Sequence, residues 1–569
     1  MVNDTVIDEQ WTVKWPAVIV VGLLVAIPAR ADDNEVSLRW KNTLRYTAAV
    51  RTEKPKTELL ADANADDGDR NFRRGLLSNR ADLLSELNIA VGDIGLEVSG
   101  AAWYDTIYNH RTDNNSAFTL NTRSNGVDHF ARPTRRLHGR NAELLTAFAS
   151  ANVTAGDMPV SLRVGRAHLQ WGESLFFAEN GIASGQTPID AIKALSVPSS
   201  TAKEVFMPVT QVWASVQPAA NITVEGYYQL EWRKSRLPGS GSYFNTADFL
   251  DAGGERLIAG PGQFFRRSAD QGASGSGQYG LALRVNTDTA DYGFYALRSN
   301  AKDPQVYLRL GPFLGARNSA SQTARERTEL YGVSPTISVG GTATTTNNVL
   351  INYGLYGDPS TGEVGTYNLA YPQGIQIYGA SFSSYAGDTA IAGEVSVRRH
   401  TPLVSSPIIL FQNIVADNKS TPRYAVGDSL HAQLSTVVIL PQSGLWQGAA
   451  FATELAFNSR LRVTQNHSAL DTARNRSAAA LRTQFEPQYF AVLPGLDISV
   501  PMGFGVGVVG RSSINQGQNV RTGDMEIGVR AIYRSVWEGS VRFTHFVGGP
   551  KRQAFADRDF ISLSLKRAL

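Results

Sequence analysis

Leu496-Asp497-Ile498-Ser499-Val500-Pro501-Met502-Gly503-Phe504-Gly505-Val506-Gly507-Val508 decides the fold class. Every second residue in it is apolar: Leu496, Ile498, Val500, Met502, Phe504, Val506 and Val508. Asp497, Ser499, Pro501 and three glycines stand between them. A strict period of two puts one set on each face of a β-strand. The run also exceeds the roughly ten residues that a tilted strand needs to cross a bilayer, whereas globular strands are usually shorter.

The same alternation recurs along the chain. Val36, Leu38, Trp40, Leu44 and Tyr46 alternate with Ser37, Arg39, Lys41, Thr43 and Arg45. Ile222, Val224, Tyr228, Leu230 and Trp232 alternate with Thr223, Glu225, Tyr227, Gln229, Glu231 and Arg233. Near the end, Ile561, Leu563 and Leu565 alternate with Ser562, Ser564 and Lys566. The connections alternate too. Short turns fall at Gly92-Asp93, 154–158, 218–221, 287–289, Gly387, 441–444, Pro494-Gly495 and Ser535-Val536. Between them lie long segments: 51–79, 110–141, 171–207, 234–276, 300–373, 400–429, 459–477, 510–521 and 549–556. Short turns on one side and long loops on the other are the pattern of an outer-membrane β-barrel. The expected fold is therefore all-β: a transmembrane antiparallel barrel of about 18 strands, bounded by about 16 and 20, with both ends on the periplasmic side. A further hairpin could lie within 300–373, around 306–310.

Composition agrees with this reading. The 569 residues include no cysteine, which excludes a disulfide scaffold and a thiolate metal site. No stretch after the first 31 residues is long and apolar enough for a transmembrane helix, so a chain that spans lipid must do so as a closed barrel. An ordinary overall hydropathy is no objection, because lumenal and lipid-facing residues average out. The 52 glycines and the 9% aromatic content suit tight turns and interfacial girdles. At the N-terminus, Lys14 precedes an apolar run over 16–28, and Ala29-Arg30-Ala31 fits a small-x-small cleavage site. Residues 1–31 are expected to be a signal peptide and 32–569 the barrel. The net charge of +3, or +4 without the leader's three acids and two bases, is too mild to imply nucleic acid.

A barrel of this size cannot fill its lumen with its own strand side chains. Residues 171–207 break the alternation and are the candidate for plugging or gating it. Within them 188–195 reads as a short amphipathic helix. Thr187 would be its N-cap, Pro188 its first residue, Ile189, Ile192 and Leu195 one face, and Pro198 would follow its end. The same segment could instead cap the loops from outside. Gly- and Ser-rich stretches at 239–243, 253–254 and 272–280 suggest mobile surface loops. Charged residues on polar strand faces are candidates for the lumen: Arg39, Arg45, Glu97, Glu225, Glu231, Glu394, Arg398, Glu454 and Arg482. Most are expected to pair with one another as a ladder of opposite charges. The eight histidines are scattered, with none at metal-ligand spacing. There is no nucleophile elbow or phosphate loop, and nothing points to a metal or organic cofactor. His168 and Glu173 are close in sequence but specify no nucleophile, so no catalytic role is assigned.

Several strings resemble the proteobacterial outer-membrane proteins of domain-of-unknown-function family 1302. They are Leu77-Ser78-Asn79-Arg80 with Ser85-Glu86-Leu87, Gly100-Ala101-Ala102-Trp103-Tyr104-Asp105, and Gly185-Gln186-Thr187-Pro188-Ile189-Asp190-Ala191. Gly226-Tyr227-Tyr228-Gln229-Leu230-Glu231-Trp232 and Arg236-Leu237-Pro238-Gly239-Ser240-Gly241 also match. The similarity covers most of the mature chain and is densest over 77–260. It implies a large barrel with an internal plug, mapped here onto 180–198 with Asn180, Gln186, Thr187, Pro188, Asp190, Lys193 and Pro198 as plug or gating residues. It implies the outer membrane of a Gram-negative bacterium, contact with its lipid and lipopolysaccharide, and insertion by the barrel-assembly machinery. It also implies a periplasmic lipid-carrier-like protein or lipoprotein and an inner-membrane transporter of the resistance–nodulation–division type as partners. The expected function is transport of a small hydrophobic molecule, such as a steroid, an aromatic or a lipid. A general diffusion porin for polar solutes and a plugged barrel acting as a docking partner are the alternatives. The chain ends in Leu569, where such barrels usually end in an aromatic residue.

Overall fold

The computed structural model describes residues 36–198, 200–313, 337–339, 342–344, 356–515 and 519–569. The expected leader lies outside these residues. Nineteen strands form one closed sheet; two of them, Leu496–Ser499 and Met502–Val509, are halves of one span, so the barrel has 18 spans. In chain order these are β1 (Val36–Arg51), β2 (Gly75–Val91), β3 (Ile94–Asp105), β4 (Arg140–Ala155), β5 (Met158–Ala167) and β6 (Val209–Ala219). Next come β7 (Ile222–Gln229), β8 (Gln278–Asn286), β9 (Ala290–Ser299), β10 (Ile375–Ala386), β11 (Thr389–Pro402) and β12 (Val426–Leu440). The last six are β13 (Gly448–Gln465), β14 (Ser477–Leu493), the two-part β15, β16 (Gly523–Tyr533), β17 (Trp537–Val547) and β18 (Phe560–Ala568). Each span pairs antiparallel with its neighbours in sequence, and β1 closes on β18 from Thr43↔Ala568 to Arg51↔Phe560. Closure leaves no exposed sheet edge over that stretch, as lipid requires.

The period-two pattern sorts the two faces. On β1, Leu44 and Tyr46 are 46% and 44% exposed, while Arg45 and Thr47, which alternate with them, are 4% and 0%. Apolar side chains face outward and polar ones inward, which suits a membrane only if the outside is lipid. The short turns lie at the end where the chain starts and finishes, since Val36 pairs with Val91 beside Gly92-Asp93. No helix among the described residues is long and apolar enough to cross a membrane.

The stretch that decided the fold is interrupted at Val500-Pro501. Proline has no N–H to give the ladder. The wall stays bonded there, because Val500 donates to the Pro487 carbonyl (3.0 Å) and Gly528 to that of Pro501 (2.9 Å). The glycines of this span face inward. A Cβ on Gly507 would lie 1.9 Å from the Asn519 carbonyl oxygen, where residues 519–522 fold back onto β15.

The loop end differs from expectation. A second, five-stranded sheet sits there, in the order Ile408–Leu410, Gln305–Leu310, Glu363–Ala370, Gln263–Arg267, Arg256–Gly260. The strand foreseen near 306–310 exists, but it belongs to this sheet and not to the barrel. Tyr307 and Leu308 are adjacent and both essentially buried (0% and 1%), so both faces of the strand are covered, which a lipid-facing strand does not offer. Phe249, Leu257, Phe265, Leu310, Val364 and Tyr367 complete its core. The 239–243 stretch is not a mobile surface loop. Ser242 and Tyr243 are buried, and Tyr243 packs edge-on against Phe72 and Phe244 in an aromatic cluster that also holds Tyr108, Phe130, Phe546 and Phe560.

Charge fixes this layer to the wall. Arg51 and Arg558, both buried, share Asp69 (2.9 and 3.0 Å), and Arg51 also pairs with Asp557 (3.2 Å). A buried pair persists only when its remaining donors are met. Here Arg51 also donates to the Phe72 carbonyl (2.7 Å) and Arg558 to that of Asn245 (2.6 Å).

Candidate functional site

Residues 168–208, between β5 and β6, fold inward. The lumenal wall meets them mostly with single charged side chains that bind backbone. Glu454 on β13 accepts from three consecutive N–H groups, those of Leu175 (3.0 Å), Phe176 and Phe177 (2.9 Å). Glu394 on β11 accepts from Glu173 N (2.7 Å), Ile182 N (2.8 Å) and the Gln433 amide (2.9 Å). Arg398 donates to the carbonyls of Glu179 (3.3 Å), Asn180 (2.7 Å) and Gly181 (2.9 Å). It sits at a bulge in β11, where the register shifts between Arg398 and Thr401 and His400 adopts φ 57°. Bulges re-aim side chains in this way. Asn180 is held by β12 and β13: it donates to the carbonyls of Ala432 and Phe457 (3.3 Å each) and accepts from His431 (3.0 Å).

On the opposite wall, Trp171 donates to Glu225 on β7 (3.0 Å) and stacks edge-on with Tyr227. Gln186 accepts from Trp171 N (2.8 Å) through its side chain and from Gln229 (2.7 Å) through its carbonyl. Arg45 on β1 pairs with Glu204, and Lys203 with Glu86 on β2 and Glu97 on β3 (3.9 Å to the latter). Arg236 joins Asp190 (2.6 Å) to Glu143 on β4.

The helix forms, but later than the sequence suggests. It spans Ala191–Ser196, and its N-cap is Asp190, whose carboxylate accepts from Lys193 N (3.0 Å). Thr187 is not the cap, because its hydroxyl donates to the Leu169 carbonyl (2.8 Å). Pro188 and Ile189 stay extended: Met207 donates to the Pro188 carbonyl, and Ile189 bridges Phe206. An Asp three residues before an N–H it can reach is the better cap in this context. Ile192 is buried, Leu195 packs on the aromatic cluster, and Pro198 follows the C-cap Val197. Lys193 lies over the Trp103 ring (5.7 Å).

The charge ladder foreseen for most lumenal residues covers only some of them. Arg482 pairs across the wall with Asp524 (2.9 Å) and Glu526 (3.6 Å), and Glu225 with Arg284 (2.7 Å). Glu394, Arg398 and Glu454 have no opposite charge within ion-pair distance among the described residues. Several backbone dipoles satisfy each of them instead, which does not require a counter-charge. Glu231 lies past the end of β7, where it pairs with Arg166 (2.8 Å). Arg39 is exposed at the start of β1. His168 and Glu173 are not bonded to each other; both ring nitrogens of His168 lack a hydrogen-bond partner, and burial lowers its pKa to about 4.

Above the inward segment, toward the loops, lies a cavity of about 390 Å³. Its lining joins the segment (Glu179, Gly185, Thr187, Ile189), the loop layer (Leu237, Phe244, Leu250, Lys302, Asp303) and the ends of β10 and β11 (Ile375, Ile377, Arg398). Sequence patterning did not single out Glu179, Lys302 or Asp303. The acid run Asp66-Asp67 was also missed. With Asp248 it places three buried carboxylates within 4.8 Å of one another. Asn114, Asn121 N, Asp67 N and Gly241 N donate to Asp67 and Asp248, so these acids tie the 52–74, 106–139 and 230–277 loops together.

A closed antiparallel barrel with an inward-folded loop, short turns at one end and a loop layer at the other defines the outer-membrane class of β-barrels. The chain belongs to the family of proteins of unknown function described as DUF1302, whose model matches residues 14–569. No curated protein matches the sequence. Among solved structures it is similar to OccAB3 of Acinetobacter baumannii, at 9% identity over 94% of this chain and 99% of that chain, with a TM-score of 0.41. OpdK of Pseudomonas aeruginosa, solved with vanillate, matches at 8% identity over 94% and 98%, with a TM-score of 0.39. A BenF-like porin from Pseudomonas fluorescens Pf-5 matches at 8% identity over 94% and 98%, with a TM-score of 0.41.

Proposed function

We propose that the protein is an outer-membrane channel for a small hydrophobic molecule, with the 171–207 segment as a plug that narrows the lumen. One observation carries the reading. The β7–β13 wall is bonded to the segment, while the charged wall of β14–β18 is left partly open. Arg482, Asp524, Glu526, Arg530, Glu538, Arg542 and Lys566 pair along that wall with 14–37% of each side chain exposed. Among the described residues of that wall, Arg482 reaches toward the segment, 6.0 Å from the centre of the Phe176 ring. A lumen filled on one side and wet on the other is a restricted passage, and the cavity of about 390 Å³ above the segment falls in the size range of small-molecule sites. The company expected from the family resemblance belongs to the same proposal: a periplasmic lipid-carrier-like protein or lipoprotein and a resistance–nodulation–division transporter take the molecule onward.

Single-channel conductance in a planar bilayer tests this. The intact protein should conduct weakly or not at all, and a version lacking residues 180–198 should conduct strongly. A wide-open intact channel would make the protein a general diffusion porin. Silence from both versions would leave a docking barrel that passes nothing.

A further inference from the structure

The cavity above the inward segment has an asymmetry of charge. Four charged side chains line it: Glu179, Asp303, Lys302 and Arg398. The two cations are withdrawn from it. Lys302 is 6% exposed and donates to Gln278 (2.7 Å), and Arg398 is 9% exposed with its guanidinium on the carbonyls of 179–181. The two carboxylates open into the space, since both residues line it and both are exposed. Neither has an ion-pair partner among the described residues; their nearest donors are neutral, Asn515 for Glu179 and Ser235 for Asp303. The rest of the lining is largely apolar, with Ile189, Leu237, Phe244, Ile375, Ile377 and Val404. Burial, and then the neighbouring Glu179 charge, push Asp303 up to about 7, and burial pushes Glu179 up as well. Arg398 and Lys302 act on these carboxylates only from beyond ion-pair distance, so a cation placed directly between the two acids would stabilise them further.

We propose that this cavity is a recognition site for a small apolar molecule with a protonated amine at one end, its body against the Ile189–Ile377 side and its ammonium between Glu179 and Asp303. The proposal rests on the channel reading and narrows its substrate class from hydrophobic to lipophilic cation. A carboxylate-bearing solute would meet the same two acids and be repelled, because the cations that could hold it are turned away and already bonded.

Three phenyl compounds of one size separate these possibilities: 2-phenylethylamine, 2-phenylethanol and phenylacetate. Binding to the full-length protein in nanodiscs is measured by calorimetry at pH 8, and flux of each compound in proteoliposomes. The amine should bind on the order of tenfold tighter than the alcohol, and phenylacetate weakest. Glu179→Gln and Asp303→Asn should each remove the amine's advantage and leave the alcohol unchanged, with heat-modifiable gel mobility showing that the barrel has folded. Equal binding of the three, tightest binding of phenylacetate, or no binding at all would overturn the proposal. Amine binding without flux of any compound would uphold the site and sink the channel reading instead.

Discussion

The two halves of the inner wall solve one problem in opposite ways. Both must place charges inside a membrane protein. On β7–β13 three carboxylates are nearly dry: Glu454 is 1% exposed, Glu394 7% and Glu225 8%. Two of these three work as clamps, each on several backbone groups of the inward segment. On β14–β18 the charges are wet and answer one another, Arg482 to Asp524, Arg542 to Glu526, Lys566 to Glu538. A buried carboxylate with all its acceptor sites filled is costly to disturb, whereas a half-exposed ion pair contributes little. The same residue types therefore hold a structure on one side and pair with one another in water on the other.

Substitutions should separate the halves. The largest effect is expected from Glu454→Ala, which removes a buried carboxylate from three consecutive backbone N–H groups at a cost on the order of 3 kcal/mol and loosens the segment. Conductance should rise toward that of the 180–198 deletion; an unchanged current would break the comparison. Gly507→Ala comes next, because the new Cβ meets backbone 1.9 Å away. Forcing residues 519–522 off β15 should destabilise the barrel by about 2 kcal/mol, read as a lower unfolding temperature of the gel-shifting band.

A pH effect follows in size and concerns the loop layer. Burial raises Asp66 to about 6 and Asp67 to about 7, and holds Asp248 well above its ordinary value. Raised folded-state values mean that the folded loops keep protons which the unfolded chain releases above about pH 4. The stability they lend is thus full below about pH 4 and is lost as pH rises through 6 to 7. Amide exchange over 59–72, corrected for intrinsic rates, should show easier opening at pH 8 than at pH 5.5, and Asp248→Asn should flatten the difference. The smallest effect is expected from Arg482→Gln, about 0.5 kcal/mol or less in stability. It should nonetheless shift the ion selectivity of the deletion channel toward cations, since Asp524 loses its partner while Glu526 keeps only Arg542. A large loss of stability there would mean that the wet wall is structural after all.

Much of the barrel was legible because lipid enforces one rule on every span. Period two, tight turns and long loops were enough to place the spans within a few residues and to bring their number near 18. The inward segment was legible as an interruption of that rule. Its cap was misplaced because only tertiary bonds, Thr187 to Leu169 and Ile189 to Phe206, keep 187–189 out of the helix and leave the capping to Asp190. The loop sheet was hidden for a related reason. Its strands are covered on both faces, so Tyr307-Leu308 carries no alternation to read. The clamps were visible as charges but not as clamps, because a carboxylate's partner of choice here is backbone, which every sequence supplies. Lys302 and Asp303 gave no signal, lying in a long loop whose path no local pattern fixes.

The knot of Arg51, Asp69, Asp557 and Arg558 also has a consequence in time. Arg51 bonds a residue 506 positions away, and Arg558 one 489 positions away. These contacts bridge the seam between the first and the last span. They can exist only after the whole chain has arrived, and they bring together parts of the sequence with the largest loop-closure cost. Until then the two arginines and two aspartates at the seam lack their distant partners and stay hydrated. The barrel thus carries a latch that engages last, and the order of its assembly is written into which residues must wait for which.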